Sequence, residues 1–125
     1  MITKLQCAVL DCADVGELSR FYQSLLGGEV NRPDPRWALG AGWATLHTDD
    51  GFVLAFQRVD DYRPPHWPDP ARPQQFHFDL AVEDLDQVHR DVLDRGATLL
   101  DEGDGRRSWR VFADPAGHPF CLVRD

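Results

Sequence analysis

Laid over itself with an offset of 70, the chain repeats its own pattern of chemistry. Cys7 falls on His77, Asp14 on Asp84, Glu17 on Gln87 and Leu18 on Val88. In both copies an aspartate stands where a helix should begin, and a Glu or Gln follows three residues later, as in a capping box. A chain that repeats in this way folds as two like modules. With 125 residues in all, it buries roughly two-thirds of its unfolded surface, enough for a real core.

The first module reads β-α-β-β-β over about residues 1–59. Residues 5–12 form a strand, and Asp14 caps a helix whose stripe is Leu18, Phe21, Tyr22, Leu25 and Leu26. Gly27 and Gly28 stop it. Strands are expected at 29–32, 37–48 and 52–59, with Asp49-Asp50-Gly51 turning the last pair. Residues 60–74 carry too many prolines for regular structure and form a linker loop.

The second module, residues 75–125, restarts the pattern. A strand at 75–82 leads into a helix at 85–95, capped by Asp84 and closed by Gly96. Leu85, Val88, Val92 and Leu93 make its stripe. Strands at 97–101, 107–113 and 118–124 follow, and Asp114-Pro115-Ala116-Gly117 turns the last two. The fold class is therefore α+β, with two β-α-β-β-β modules. Each helix covers the outer face of its sheet, and the opposite faces curve around a shared cleft.

The strand at 75–82 holds the most telling chemistry. Alternation sends Phe76, Phe78, Leu80 and Val82 to a core face, and His77, Asp79 and Ala81 to the other. A base and a carboxylate beside a small residue suit a cavity wall. On the last strand of the first module, Gln57 shares a side with Ala55 and Val53 and can donate into the same cleft. Four tryptophans are many for this length. Trp43 lies on a middle strand, and Trp67, in the linker loop, is the candidate lid or stacking surface.

Charge and composition exclude several classes. A formal charge of −8 with no basic cluster argues against nucleic acid, which needs grouped Lys and Arg. No apolar run is long enough to span a membrane, and no leader-like segment opens the chain. Three cysteines without zinc-type spacing point to a reducing cytoplasm. Neither a phosphate-binding loop nor a Gly-x-Ser-x-Gly nucleophile motif is present.

Three stretches carry a family likeness: Asp14…Phe21-Tyr22…Leu26-Gly27, then Gln75-Phe76-His77-Phe78-Asp79-Leu80, then Asp114-Pro115-Ala116-Gly117-His118-Pro119-Phe120-Cys121-Leu122. In this order and spacing the chain resembles the vicinal oxygen chelate superfamily of glyoxalases, bleomycin-resistance proteins and extradiol dioxygenases. The tract Phe56-Gln57-Arg58-Val59 with Pro65-His66-Trp67-Pro68 resembles its glyoxalase-like branch.

The resemblance implies four metal-ligand positions, on the first and last strand of each module. Here they fall on Cys7, near Ala55, on His77 and on Cys121. Only His77 is of the usual type, so no cofactor and no complete metal site are expected. The implied function is a protein that binds a small organic ligand in the cleft, with His77, Asp79, Cys7, Cys121, Gln57, Trp67 and Trp43 as ligand-binding candidates. The alternative is a metal-dependent lyase, isomerase or dioxygenase acting on a small oxygen-rich substrate, its divalent cation drawn to a Cys7-His77-Cys121 set. The resemblance and the aromatic excess also imply a homodimer.

Overall fold

A computed structural model describes residues 1–37 and 39–125. It consists of two compact units, Met1–Tyr62 and Arg63–Asp125, so the proline-rich loop belongs with the second.

In the first unit the elements are β1 (Ala8–Cys12), α1 (Val15–Leu26), β2 (Glu29–Val30), β3 (Trp43–His47) and β4 (Val53–Arg58). They make a four-stranded sheet of order β1-β4-β3-β2, in which β1 runs parallel to β4 and the other pairs are antiparallel. The Asp14 carboxylate accepts from the Glu17 amide at 3.0 Å and so satisfies one orphan donor of the helix. Tyr22 stacks on Phe56 with ring centroids 6.1 Å apart. By register that face also carries Leu10, Ala44, Leu46 and Leu54, all buried. The face away from α1 carries Val9, Asp11, Trp43, Thr45, His47, Val53, Ala55 and Gln57, of which Thr45 and Ala55 are buried.

The expected strand at 37–48 begins only at Trp43. Trp37, its first residue, instead ends a 3-10 turn, Pro35–Trp37, which Asp34 caps and whose first residue Pro35 presets. Position 38 of that expected strand lies outside the described residues.

The second unit holds β5 (Phe78–Val82), α2 (Leu85–Asp94), β6 (Thr98–Asp101), β7 (Trp109–Ala113) and β8 (Pro119–Arg124). The sheet order is β5-β8-β7-β6, the same design as the first. Asp84 caps α2 through the Gln87 amide, also at 3.0 Å. Phe112 is fully buried, stacks on Phe120 at 5.7 Å and meets the His89 ring of α2 edge-on at 5.1 Å. Among the described residues no helix is long and apolar enough to cross a membrane.

Three sequence expectations need correction here. The strand expected from 75 starts at Phe78, so His77 immediately precedes β5 rather than lying within it. Phe76, assigned to the core, is 61% exposed, because the chain at that point has not yet joined the ladder. Leu93, assigned to the α2 stripe, points outward and is 38% exposed.

The loop preceding β5 is held against the β7–β8 turn. Gly117 has φ +90°, and a Cβ there would come within 2.6 Å of Pro64 Cβ. Buried Asp114 organises that turn, its Oδ1 accepting from the amides of Ala116 (2.9 Å) and His118 (3.0 Å).

Candidate functional site

The open face of the second sheet gathers titratable side chains. Parallel pairing of β5 with β8 sets Asp79 directly beside Cys121, and antiparallel pairing sets Cys121 beside Val111 and Val111 beside Asp101. His77, just ahead of β5, reaches the same patch, with Nε2 3.2 Å from Asp79 Oδ1. One ligating atom from each of His77, Asp79 and Cys121 lies within 4.8 Å of the others. His77 and Asp79 are exposed, while Cys121 is buried at the base of the cluster.

The electrostatics follow from that layering. Burial pushes the Cys121 thiol up to about 11, and the neighbouring Asp79 carboxylate adds to the shift, while Arg107 opposes it. Arg107 is well fixed. Its Nη2 lies 3.0 Å from Asp101 Oδ1, its Nε donates to the Trp109 carbonyl at 3.0 Å, and its guanidinium stands 4.7 Å over the Trp109 ring. The Asp101 carboxyl is held low by the Gly103 amide first and by Arg107 second.

A nitrogen, an oxygen and a sulfur donor on one face suit zinc or a similar borderline cation. Zinc bonds of about 2.0–2.3 Å set ligand atoms roughly 3.3–3.8 Å apart, so small side-chain rotations close the present spacing. The residues therefore fit a three-ligand cation site with its remaining positions toward solvent. The thiol proton would have to leave on binding.

The other candidates are not members of this trio. Cys7 is half-buried just ahead of β1, and burial raises its thiol pKa. Gln57, exposed, and Trp43, half-buried, face each other across β3 and β4 in the first unit. Trp67 is half-buried in the loop of the second unit. None of the three cysteines forms a disulfide.

Sequence reasoning placed Asp101 and Arg107 at the ends of two expected strands and missed their place at this patch. The β6–β7 register brings them in, and nothing in the local pattern announces that register. In the first unit the positions matching Asp79 and Cys121 are Val9 and Ala55, which also pair directly. Neither carries a ligating atom.

Two four-stranded sheets, each with one covering helix, define a class of duplicated β-α-β-β-β proteins. The family model described as "Glyoxalase-like domain" matches residues 7–123, and the chain belongs to that family, within the vicinal oxygen chelate superfamily. A search of curated proteins gives no match.

Solved structures share the fold at low identity. A glyoxalase/bleomycin resistance protein/dioxygenase family enzyme from Burkholderia phytofirmans PsJN is 16% identical, with TM-score 0.71 and 98% of each chain covered. The hypothetical protein SA1046 from S. aureus is 18% identical, with TM-score 0.69, covering 100% of this chain and 99% of that one. A point mutant of the fosfomycin resistance protein FosX from Listeria monocytogenes, complexed with Mn(II) and 1S,2S-dihydroxypropylphosphonic acid, is 16% identical, with TM-score 0.70, covering 98% and 90%.

Proposed function

We propose that the open face of the second sheet is the working site of a metal-assisted enzyme acting on a small, oxygen-rich organic molecule. His77, Asp79 and Cys121 would hold a divalent cation there. The observation behind this reading is the convergence of three unlike donor atoms within 4.8 Å on one sheet face. It differs from the Cys7-His77-Cys121 set expected from the sequence in having Asp79 where Cys7 was expected. That a FosX mutant of the same fold is complexed with Mn(II) and a dihydroxy phosphonate supports it.

A bound cation supplies Lewis-acid polarisation of substrate oxygens, the step shared by lyase, isomerase and dioxygenase chemistry of this kind. The chain's own residues supply the rest. Exposed His77 and Asp79 leave the approach to the site open, and the second Asp79 oxygen can receive or hold a proton at the substrate. Arg107 offsets the negative charge of Asp79 and Asp101 nearby. Trp67, on the proline-stiffened loop, is the lid candidate of this reading.

The test is metal analysis of untagged protein, followed by calorimetric titration with zinc. One equivalent should bind, and His77→Ala, Asp79→Ala and Cys121→Ser should each weaken binding at least tenfold. Failure to take up zinc, or uptake indifferent to all three changes, overturns the proposal.

A metal-free binding protein is the second reading, favoured by the empty chemistry of Val9 and Ala55 in the first sheet. It expects ligands from a thermal-shift screen to stabilise the protein equally with and without EDTA. A ligand at 100 times its dissociation constant would add about 2.7 kcal/mol. With either reading we propose a homodimer in a reducing cytoplasm, supported by cysteines without a disulfide and by exposed Phe52, Phe76 and Trp109. Light scattering that gives a monomer mass at micromolar concentration would remove the dimer.

A further inference from the structure

Strand β3 carries a second set of polar groups that the cation site does not use. Its alternation sends Ala44 and Leu46 to the helix-covered face, and Trp43, Thr45 and His47 to the other. Each of these three has a shielded polar atom with no hydrogen-bond partner among the described residues: Trp43 Nε1, Thr45 Oγ1 and His47 Nδ1. Trp37, on the neighbouring 3-10 turn, adds a fourth, its Nε1, and its ring meets His47 edge-on at 6.1 Å.

Five such atoms occur among the described side chains, and four of them sit on this one patch. Native proteins leave few buried polar groups unpaired, because each forfeits its hydrogen bonds to water without replacement. Thr45 is the firmest member, being 1% exposed. Its backbone is locked to Asn31 in both directions, the Thr45 amide donating to Asn31 Oδ1 at 3.0 Å and the Asn31 amide to the Thr45 carbonyl at 2.9 Å. The hydroxyl is therefore held in place and cannot relax toward solvent by moving the strand.

The inventory of these groups selects a ligand. An indole N–H only donates, whereas a threonine hydroxyl and a neutral imidazole nitrogen can donate or accept. The patch thus has two obligate donors and no obligate acceptor, and it calls for acceptor oxygens. None of the four groups carries a permanent positive charge, which disfavours a multiply charged anion. Two indoles and an imidazole offer flat apolar walls. Ala55 lies opposite Thr45, fully buried, and its small side chain adds neither bulk nor a polar atom beneath the rings.

We infer that the face of the first sheet away from α1 is a binding site for a flat, uncharged carbonyl compound, whose oxygens accept from Trp37, Trp43 and Thr45. The three rings are only half-buried, so an entering molecule displaces ring edges and leaves the strand intact. Every group named here belongs to the first unit, and none of them depends on a cation at His77, Asp79 and Cys121.

The test uses matched probes: 1-indanone beside indane, 1-tetralone beside tetralin, and coumarin beside naphthalene. The chain's four tryptophans give four indole N–H signals in a nitrogen-15 correlation spectrum, assigned by single Trp→Phe variants. At least one carbonyl probe should shift the Trp37 and Trp43 signals downfield and saturably, leaving Trp67 and Trp109 unmoved, and its hydrocarbon frame should not. Thr45→Val keeps the side-chain shape and should weaken that probe about fivefold or more, as should Trp43→Phe. The same spectra report whether each variant is folded. Three carbonyl probes that leave both signals unmoved, shifts equal to those of the hydrocarbons, or full affinity in folded Thr45→Val would each overturn the inference.

Discussion

Asp79 and Cys121 are direct neighbours across the parallel β5–β8 ladder, and the carboxylate, after burial itself, helps to raise the thiol pKa to about 11. At neutral pH this cysteine is accordingly a thiol and not a nucleophile. The sign of the linkage follows. Its contribution to stability is complete below the ordinary thiol pKa near 9 and is lost as pH rises from there through about 11, because the unfolded chain ionises first.

Removing the carboxylate should expose its share of that shift. Asp79→Asn is expected to lower the Cys121 pKa and to speed its alkylation by iodoacetamide at pH 9 at least threefold, read by mass spectrometry of the peptide. Burial remains in the variant, so the rate should stay below that of a free thiol. An unchanged rate would mean that Asp79 contributes nothing to the shift.

A second expectation concerns the contact between loop and turn in the second unit. Gly117→Ala meets both a positive φ and the Pro64 ring, and should cost about 1–3 kcal/mol in urea unfolding. Gly105→Ala has an equally positive φ but open space around it, and should cost less. Equal losses at the two positions would show that the Pro64 contact carries no weight.

These cases show where the sequence is legible. Asp14 and Asp84 announced both helices, because a cap is a local hydrogen bond to an amide three residues on, and both bonds form. The two-sheet plan followed from their repetition. The site was readable only in part. His77 and Asp79 stood out by alternation, but the Asp79–Cys121 pairing depends on the register of two strands far apart in sequence. Arg107 stood only at the start of an expected strand, and its ion pair with Asp101 depends on how β6 and β7 come together. Thr45 and His47 gave no signal at all, since an unpartnered hydroxyl is invisible until its surroundings are known.

Core and surface positions should separate cleanly in the second unit. Phe112→Ala removes a fully buried ring packed on Phe120 and His89, and should cost about 3–5 kcal/mol. Leu93→Ala, at the exposed position first assigned to the core, should stay within about 0.5 kcal/mol of wild type. Denaturant midpoints decide this, and a large loss at Leu93 would contradict the observed orientation of α2.

The turn that presents Trp37 rests on an ion pair whose titration can be followed directly. Arg36 grips Asp34 with Nε 3.1 Å from both carboxylate oxygens and Nη2 2.6 Å from Oδ2, while the Arg36 amide donates to Oδ1 at 2.9 Å. The side-chain bond acts first and the amide second, and together they hold the Asp34 carboxyl at about 2. A depressed carboxyl stabilises the fold above its unfolded pKa near 3.8 and loses that contribution as pH falls through about 2. The pair is at the surface, so the effect belongs to the local turn more than to global stability. Carbon-13 detection of the side-chain carboxyl should give a midpoint near 2 for Asp34, and Arg36→Met should move it upward while the amide bond keeps it below 3.8. Because the Asp34 carbonyl also accepts from the Trp37 amide at 3.0 Å, the Trp37 indole signal should shift in the same acid range. A wild-type midpoint at the ordinary aspartate value would show that the grip does not persist in solution, and with it that the turn does not hold Trp37 in place.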